Sequence, residues 1–265
     1  MTPRARLLLA IPLILLAACS SAGEASSPSS SAAASDRGGV PAGYPMDVDV
    51  VAPLIITTVA PDPIPVPGTD GKVHVVYELE VVNFSPRLAT ITSIETLASG
   101  PDGPVVSTVE GGDVTARSLL LAGFGAPYAV IPVGRSAVVL LDDVFATRAD
   151  VPAGLTHRIT ATFGAPGSAD LETLAARYPD TGTQIGGPVQ VSDQEPVVIG
   201  PPLSGDDWGA GNGCCALTSH RGAMMAAGGR LTGGERFAID WVKFDTTADP
   251  VVTFRGDISR NEDYL

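Results

Sequence analysis

Val73, Val75, Tyr77, Leu79 and Val81 stand at every second position, with His74, Glu78 and Glu80 among the residues between them. A period of two belongs to a strand with one face in a core and the other toward solvent. Runs of similar character recur at residues 48–59, 88–97, 114–121, 137–141, 156–163 and 197–199. Between them stand the turn formers Thr69-Asp70-Gly71, Pro101-Asp102-Gly103, Gly111-Gly112-Asp113 and Pro132-Val133-Gly134. Short strands at this spacing, punctuated by glycine and proline, predict a mainly β fold: an antiparallel, Ig-like β-sandwich over residues 46–200. One short helix is expected, with Ser168 as N-cap, Leu171, Leu174, Ala175 and Tyr178 on one face, and Pro179 as its stop.

The N-terminus has a different grammar. Behind Arg4 and Arg6 runs an apolar segment, residues 7–19, that ends in Leu16-Ala17-Ala18-Cys19. Basic residues, a short apolar run and a small-residue cut site are the layout of a secretory signal, too short to span a bilayer stably. Leu-Ala-Ala-Cys resembles the bacterial lipobox, in which the cysteine sulfur takes a diacylglycerol and becomes the new N-terminus. The resemblance implies a lipoprotein signal peptide at 1–18 and a palmitate-type lipid anchor on Cys19. Two or three acyl chains, at about 0.8 kcal/mol per buried methylene, hold a soluble domain on a membrane durably. Residues 19–45 are mostly Ser, Ala, Gly and Pro, too poor in bulky apolar side chains to repay folding entropy, and are expected to form a disordered tether.

The 16 basic and 29 acidic side chains give a formal charge of −13, and loss of Arg4 and Arg6 with the signal makes the chain more acidic still. Nucleic acid is thereby excluded as an expected partner, because no basic surface exists to neutralise phosphates. The partners expected are the membrane, through the lipid, and peptidoglycan or another envelope protein. Of 3 cysteines, the lipid takes one and leaves adjacent Cys214 and Cys215. Export favours pairing, yet neighbouring Cα atoms about 3.8 Å apart lie below the usual disulfide range of about 4.4–6.8 Å. A strained vicinal disulfide, two free or intermolecular thiols, and a metal pair all stay open.

Beyond Pro201-Pro202 the sequence turns glycine-rich, then strand-like again over residues 236–244. Histidine is scarce: His74, His157 and His220. Strand parity puts His157 at the edge of the core with a backbone partner and His74 on a solvated face. Asp142-Asp143 and Asp206-Asp207 read as solvated turns. His220, Asp240 and a cysteine are three donor types that zinc accepts, but their spacing forms no compact motif, and a loop histidine beside Arg221 is the plainer reading. No Gly-x-Ser-x-Gly elbow marks a nucleophile.

Gly200-Pro201-Pro202-Leu203, Trp208, Asn212-Gly213-Cys214-Cys215, His220-Arg221 and Glu235-Arg236-Phe237-Ala238-Ile239-Asp240-Trp241 resemble secreted bacterial proteins in which a β-sandwich precedes a lysostaphin-type peptidoglycan metalloendopeptidase domain. The resemblance implies that residues 201–265 are the truncated start of such a β domain, an incomplete β-rich segment. That family holds zinc with a histidine, an aspartate four residues later, and a histidine from a distal His-x-His motif. Asp240 falls on the aspartate position, which makes it a metal ligand by resemblance alone. Arg236 occupies the first histidine's place, and a guanidinium has no lone pair to offer zinc; no histidine follows Asp240. The expectation is an exported, lipid-anchored, non-catalytic envelope module facing the cell wall, without a cofactor unless a longer catalytic form carries zinc. The alternatives are the N-terminal part of a zinc-dependent peptidoglycan endopeptidase and a solute-binding lipoprotein.

Overall fold

The computed structural model describes residues 52–121, 130–213 and 217–253, apart from the Val252 side chain. The expected signal peptide, the tether and Cys19 lie outside them. In chain order the elements are β1 (Leu54–Thr58), β2 (Val66–Pro67), β3 (Val73–Asn83), β4 (Arg87–Ala98), β5 (Val105–Glu110), α1 (Gly112–Arg117), β6 (Ser118–Leu120), β7 (Val130–Ile131) and β8 (Ser136–Phe145). There follow β9 (Gly154–Pro166), α2 (Glu172–Ala175), β10 (Thr181–Gln190), β11 (Trp208–Gly211), β12 (Met224–Ala227), β13 (Arg230–Gly233), β14 (Asp240–Asp245) and β15 (Val252–Thr253). Among the described residues no helix is long and apolar enough to cross a membrane.

Two antiparallel sheets pack face to face. The first has the order β1-β3-β8-β6 with β2 also on β3; the second has β10-β9-β4-β5 with β7 also on β4. Strand parity fills the space between them. Val75, Tyr77, Leu79 and Val81 of β3 meet Leu155, Ile159, Ala161 and Phe163 of β9 in one buried cluster, and each Val, Leu, Ile or Phe among them contributes roughly 1.5–3 kcal/mol of apolar transfer. The crossing from β3 to β4 is held by buried Asn83, whose Nδ2 donates to the carbonyls of Arg87 (2.7 Å) and Ile131 (2.8 Å). Its Oδ1 accepts from the Ser85 backbone N–H (3.0 Å) and hydroxyl (2.7 Å).

The centre of the first sheet is buried on its other face as well. Val76, Glu78, Val138 and Leu140, all on the opposite parity to the inner set, are fully covered. The cover comes from downstream: β12 and β13 form a hairpin, and β13 bridges Ala60 just past β1, with Ala60 N donating to Leu231 O and Gly233 N to Ala60 O. β11, β14 and β15 make a third, three-stranded sheet.

Several local expectations give way. Residues 114–117 of the run expected as a strand lie in α1, with Val114 as the buried residue, because Gly111 and Gly112 turn the chain back before a ladder forms. The helix after Ser168 is shorter than expected: a single 3-10 turn at Ala169–Leu171 runs into α2, and Ser168 makes no side-chain cap bond. Val197, Val198 and Ile199 form no strand and are 87, 91 and 80% exposed; their β-branched propensity finds no neighbouring strand to pair with.

Candidate functional site

Among the described residues, chemistry-bearing side chains gather at three places: the inner face of β3, the outer face of β3 and the surroundings of Asp240. On the inner face, Tyr77 hydroxyl lies 2.6 Å from Asp143 Oδ2 and 2.8 Å from His157 Nε2. Ser107 Oγ donates to Asp143 Oδ1, and His157 Nδ1 donates to Gly187 O at 2.8 Å. Ser107, His157 and Gly187 belong to the second sheet and Asp143 and Tyr77 to the first, so this polar chain staples the two layers through the core. The rings of Tyr77 and His157 lie 5.5 Å apart, tilted by 47°. Burial pushes the Tyr77 phenol well above its ordinary range, with Asp143 adding to the effect; burial likewise pulls His157 down, opposed by Asp143 and the Gly187 carbonyl. Asp143 is thus a buried strand residue and not a solvated turn. His157 has the backbone partner expected of it but sits wholly inside.

On the outer face, Glu78 is 0% exposed and receives two guanidinium groups. Arg221 Nε donates to Oε1 at 3.0 Å; Arg236 Nε and Nη2 donate to Oε2 at 2.9 and 2.6 Å. Arg221 Nη2 also reaches the carbonyls of Tyr77 (3.1 Å) and Leu141 (3.0 Å), and Arg236 Nη1 that of Pro61 (3.0 Å). Burial lowers the proton affinity of Arg221, and Glu78 opposes this. Alternation had placed Glu78 toward solvent. The correction has a physical cause: the downstream segment brings two buried cations onto that face, and they require an anion there. Gly233 permits the contact, since a Cβ at that position would stand 3.1 Å from Glu78 Oε2.

His74 is likewise not a solvated face residue. Its Nδ1 lies 3.0 Å from Asp142, and its Nε2 lies 3.2 Å from Asp70. Burial pulls its pKa down, but the hydrogen bonds to Asp142 and Asp70 outweigh that and raise it overall. Asp142 is therefore a strand residue engaged in an ion pair.

The third place contains Asp240. His220, in the 3-10 turn His220–Gly222, points Nδ1 at the carbonyls of Asn212 and Ala238, each 3.2 Å away. Its Nε2 lies 3.2 Å from Asp240 Oδ1, and Asn212 Nδ2 donates to Asp240 Oδ2 at 2.6 Å. The fold thus brings together two of the three donors that sequence spacing had left apart, while Cys214 and Cys215 lie outside the described residues. Among the described residues no group of three or more His, Cys, Asp and Glu converges as metal ligands. The position four before Asp240 does not fit a lysostaphin-type zinc centre: Arg236 stands there, and its guanidinium is committed to Glu78.

No protein-family model matches this chain, and no curated protein matches it either. A solved structure titled as the X-ray structure of Northeast Structural Genomics Consortium target SoR45 aligns over 57% of this chain and 95% of its own, at 12% identity and a TM-score of 0.28. A likeness of that size carries no argument about fold or function.

Proposed function

We propose that this chain is an exported, lipid-anchored protein of the cell envelope whose sandwich binds or positions a partner at the wall without hydrolysing it. The leader ending in Leu16-Ala17-Ala18-Cys19 supports the anchor. The observation that carries the non-catalytic part is Arg236. At the position where the resembling peptidases hold zinc with histidine, this chain has a guanidinium whose Nε and Nη2 are spent on buried Glu78, a structural pin that cannot also coordinate a cation. Asp240, its companion in that motif, is paired with His220 and Asn212.

The second reading, the N-terminal part of a zinc-dependent peptidoglycan endopeptidase, draws on the His220–Asp240 contact, which joins two donors of suitable kind. One experiment separates them. The protein and its Cys19→Ala variant are fractionated from expressing cells, and each is run on a zymogram containing peptidoglycan, with and without zinc. The expected result is that Cys19→Ala leaves the membrane fraction and neither form clears the gel. A cleared zone overturns the non-catalytic reading, and retention of Cys19→Ala on membranes after a high-salt wash overturns the anchor.

A further inference from the structure

The polar chain through the core is short of a hydrogen. Gly187 O can only accept, so His157 Nδ1 carries a hydrogen and spends it there. A neutral imidazole then presents a bare lone pair at Nε2, and an ionised Asp143 presents only acceptors. Tyr77 has one hydroxyl hydrogen, yet its oxygen sits 2.8 Å from Nε2 and 2.6 Å from Oδ2. One hydrogen cannot serve both contacts, and the other would press two lone pairs together at hydrogen-bond distance among buried side chains.

Charge gives the same answer. Asp143 is 2% exposed, and among the described residues no Lys or Arg forms an ion pair with it. An ionised carboxylate buried without a cation is expensive. The surrounding elements offer no other compensation: β5 contributes Ser107, β4 contributes Thr96, and β10 contributes the Gly187 carbonyl. Asp142, next along β8, adds more negative charge near the phenol.

We propose that the Asp143–Tyr77–His157 chain holds one proton more at neutral pH than its three groups hold when unfolded, so that the trio is electrically neutral and the sandwich takes up a proton from water as it folds. Two hydrogens then lie along the Nε2, phenol and Oδ2 line, and both contacts are hydrogen bonds. The order is either imidazolium to phenol to carboxylate, or carboxylic acid to phenol to imidazole. The titration belongs to the chain as a whole. With Tyr77 pushed far up by burial, the phenol keeps its own hydrogen in either arrangement.

The consequence is a pH-dependent layer contact. Burial by itself pulls His157 down, but the second hydrogen that the two Tyr77 contacts require outweighs it, so above the ordinary histidine value of 6.5 the unfolded chain binds one proton fewer than the folded one at this locus and stability falls as pH rises. The unfolding constant grows about tenfold per pH unit until the folded chain releases the proton. Asp143→Asn tests this, because the amide supplies the missing hydrogen covalently: Nδ2 donates to the phenol oxygen, Tyr77 donates to Nε2, and Oδ1 keeps Ser107. Urea unfolding of both proteins at pH 7 and pH 8, in a His74→Asn background that removes the other perturbed histidine, is expected to show the parent's unfolding constant rising about tenfold relative to that of Asp143→Asn. Parallel pH profiles overturn the proposal. If Asp143→Asn does not fold, NMR of the unmutated protein at pH 7 decides. Hydrogens on both His157 nitrogens, or a protonated Asp143 carboxyl, support the proposal; a singly protonated imidazole together with an ionised carboxylate overturns it.

Discussion

Glu78→Gln removes one negative charge and almost no volume from a place where two guanidinium groups have no access to water. Arg221 and Arg236 are 1% and 4% exposed, and three of their N–H groups end on the two Glu78 oxygens at 2.6–3.0 Å. Taking away one partner of a buried ion pair costs about 3–5 kcal/mol, most of it the uncompensated charge left behind. Against the 5–15 kcal/mol typical of whole domains, and with a urea dependence of about 2 kcal/mol/M, that is a midpoint shift of about 2 M.

The protein supplies its own reporter for this experiment. Its 2 tryptophans, Trp208 and Trp241, both lie in the β11–β14 pair, downstream of the sandwich, whereas far-UV circular dichroism is dominated by the two large sheets. In Glu78→Gln the fluorescence transition is expected to move to lower urea and to precede the dichroism transition, as the downstream segment leaves the sheet before the sandwich melts. Replacing Glu78, Arg221 and Arg236 together with Leu, Met and Leu is expected to cost far less, because no orphan charge remains. A Glu78→Gln protein destabilised by less than the ~0.5 kcal/mol of an ordinary surface change refutes the view that buried Glu78 holds Arg221 and Arg236 in place.

Two further outcomes follow from the same geometry. His74 has a folded pKa raised above its ordinary 6.5, so its pairing with Asp142 and Asp70 stabilises fully below that value and is lost as pH rises through the folded pKa. His74→Asn is expected to flatten the decline of urea stability between pH 6 and 8, and an unchanged slope would count against it. Gly187 has φ +62°, and a Cβ there would stand 2.7 Å from Ile56 Cγ2. Gly187→Ala should therefore cost about 1–3 kcal/mol in thermal or urea unfolding, and a neutral result would show that the backbone at Gly187 relaxes freely.

The inner half of the sandwich was legible because it obeys a local rule. Val75 to Val81 in β3 and Leu155 to Phe163 in β9 alternate on one face, and that face is the core. The outer half was not, since the residues that bury Glu78 lie 143 and 158 positions away, and no local pattern announces a partner so distant. β10 escaped notice for a different reason. Gly182, Gly186, Gly187 and Pro188 give it no period-two pattern, yet the segment pairs with β9 through a register shift between Gly186 and Val189, where the irregular backbone turns a carbonyl toward His157. Only polarity hinted at the site: Tyr77, Asp143 and His157 each break an otherwise apolar face, and a buried polar residue implies partners to be found.

Tyr77 and Glu78 are consecutive, so β geometry sends one inward and the other outward, and the two polar arrangements meet at a single stretch of backbone. Arg221 Nη2, held by the guanidinium that grips Glu78, also donates to the carbonyls of Tyr77 and Leu141, which face each other in the β3–β8 register. Immediately after Leu141 come Asp142, the partner of His74 on the outer face, and Asp143, the partner of Tyr77 in the core. The downstream segment, the outer acid cluster and the inter-sheet staple thus share the centre of β3 and β8. A perturbation that pulls Arg221 away releases two carbonyls whose strands carry both networks, so undocking of the segment is coupled to the layer contact through neighbouring hydrogen bonds. For a module proposed to position a partner at the cell wall, this ties Arg221 and Arg236 of the downstream segment to the same sheet that forms the core.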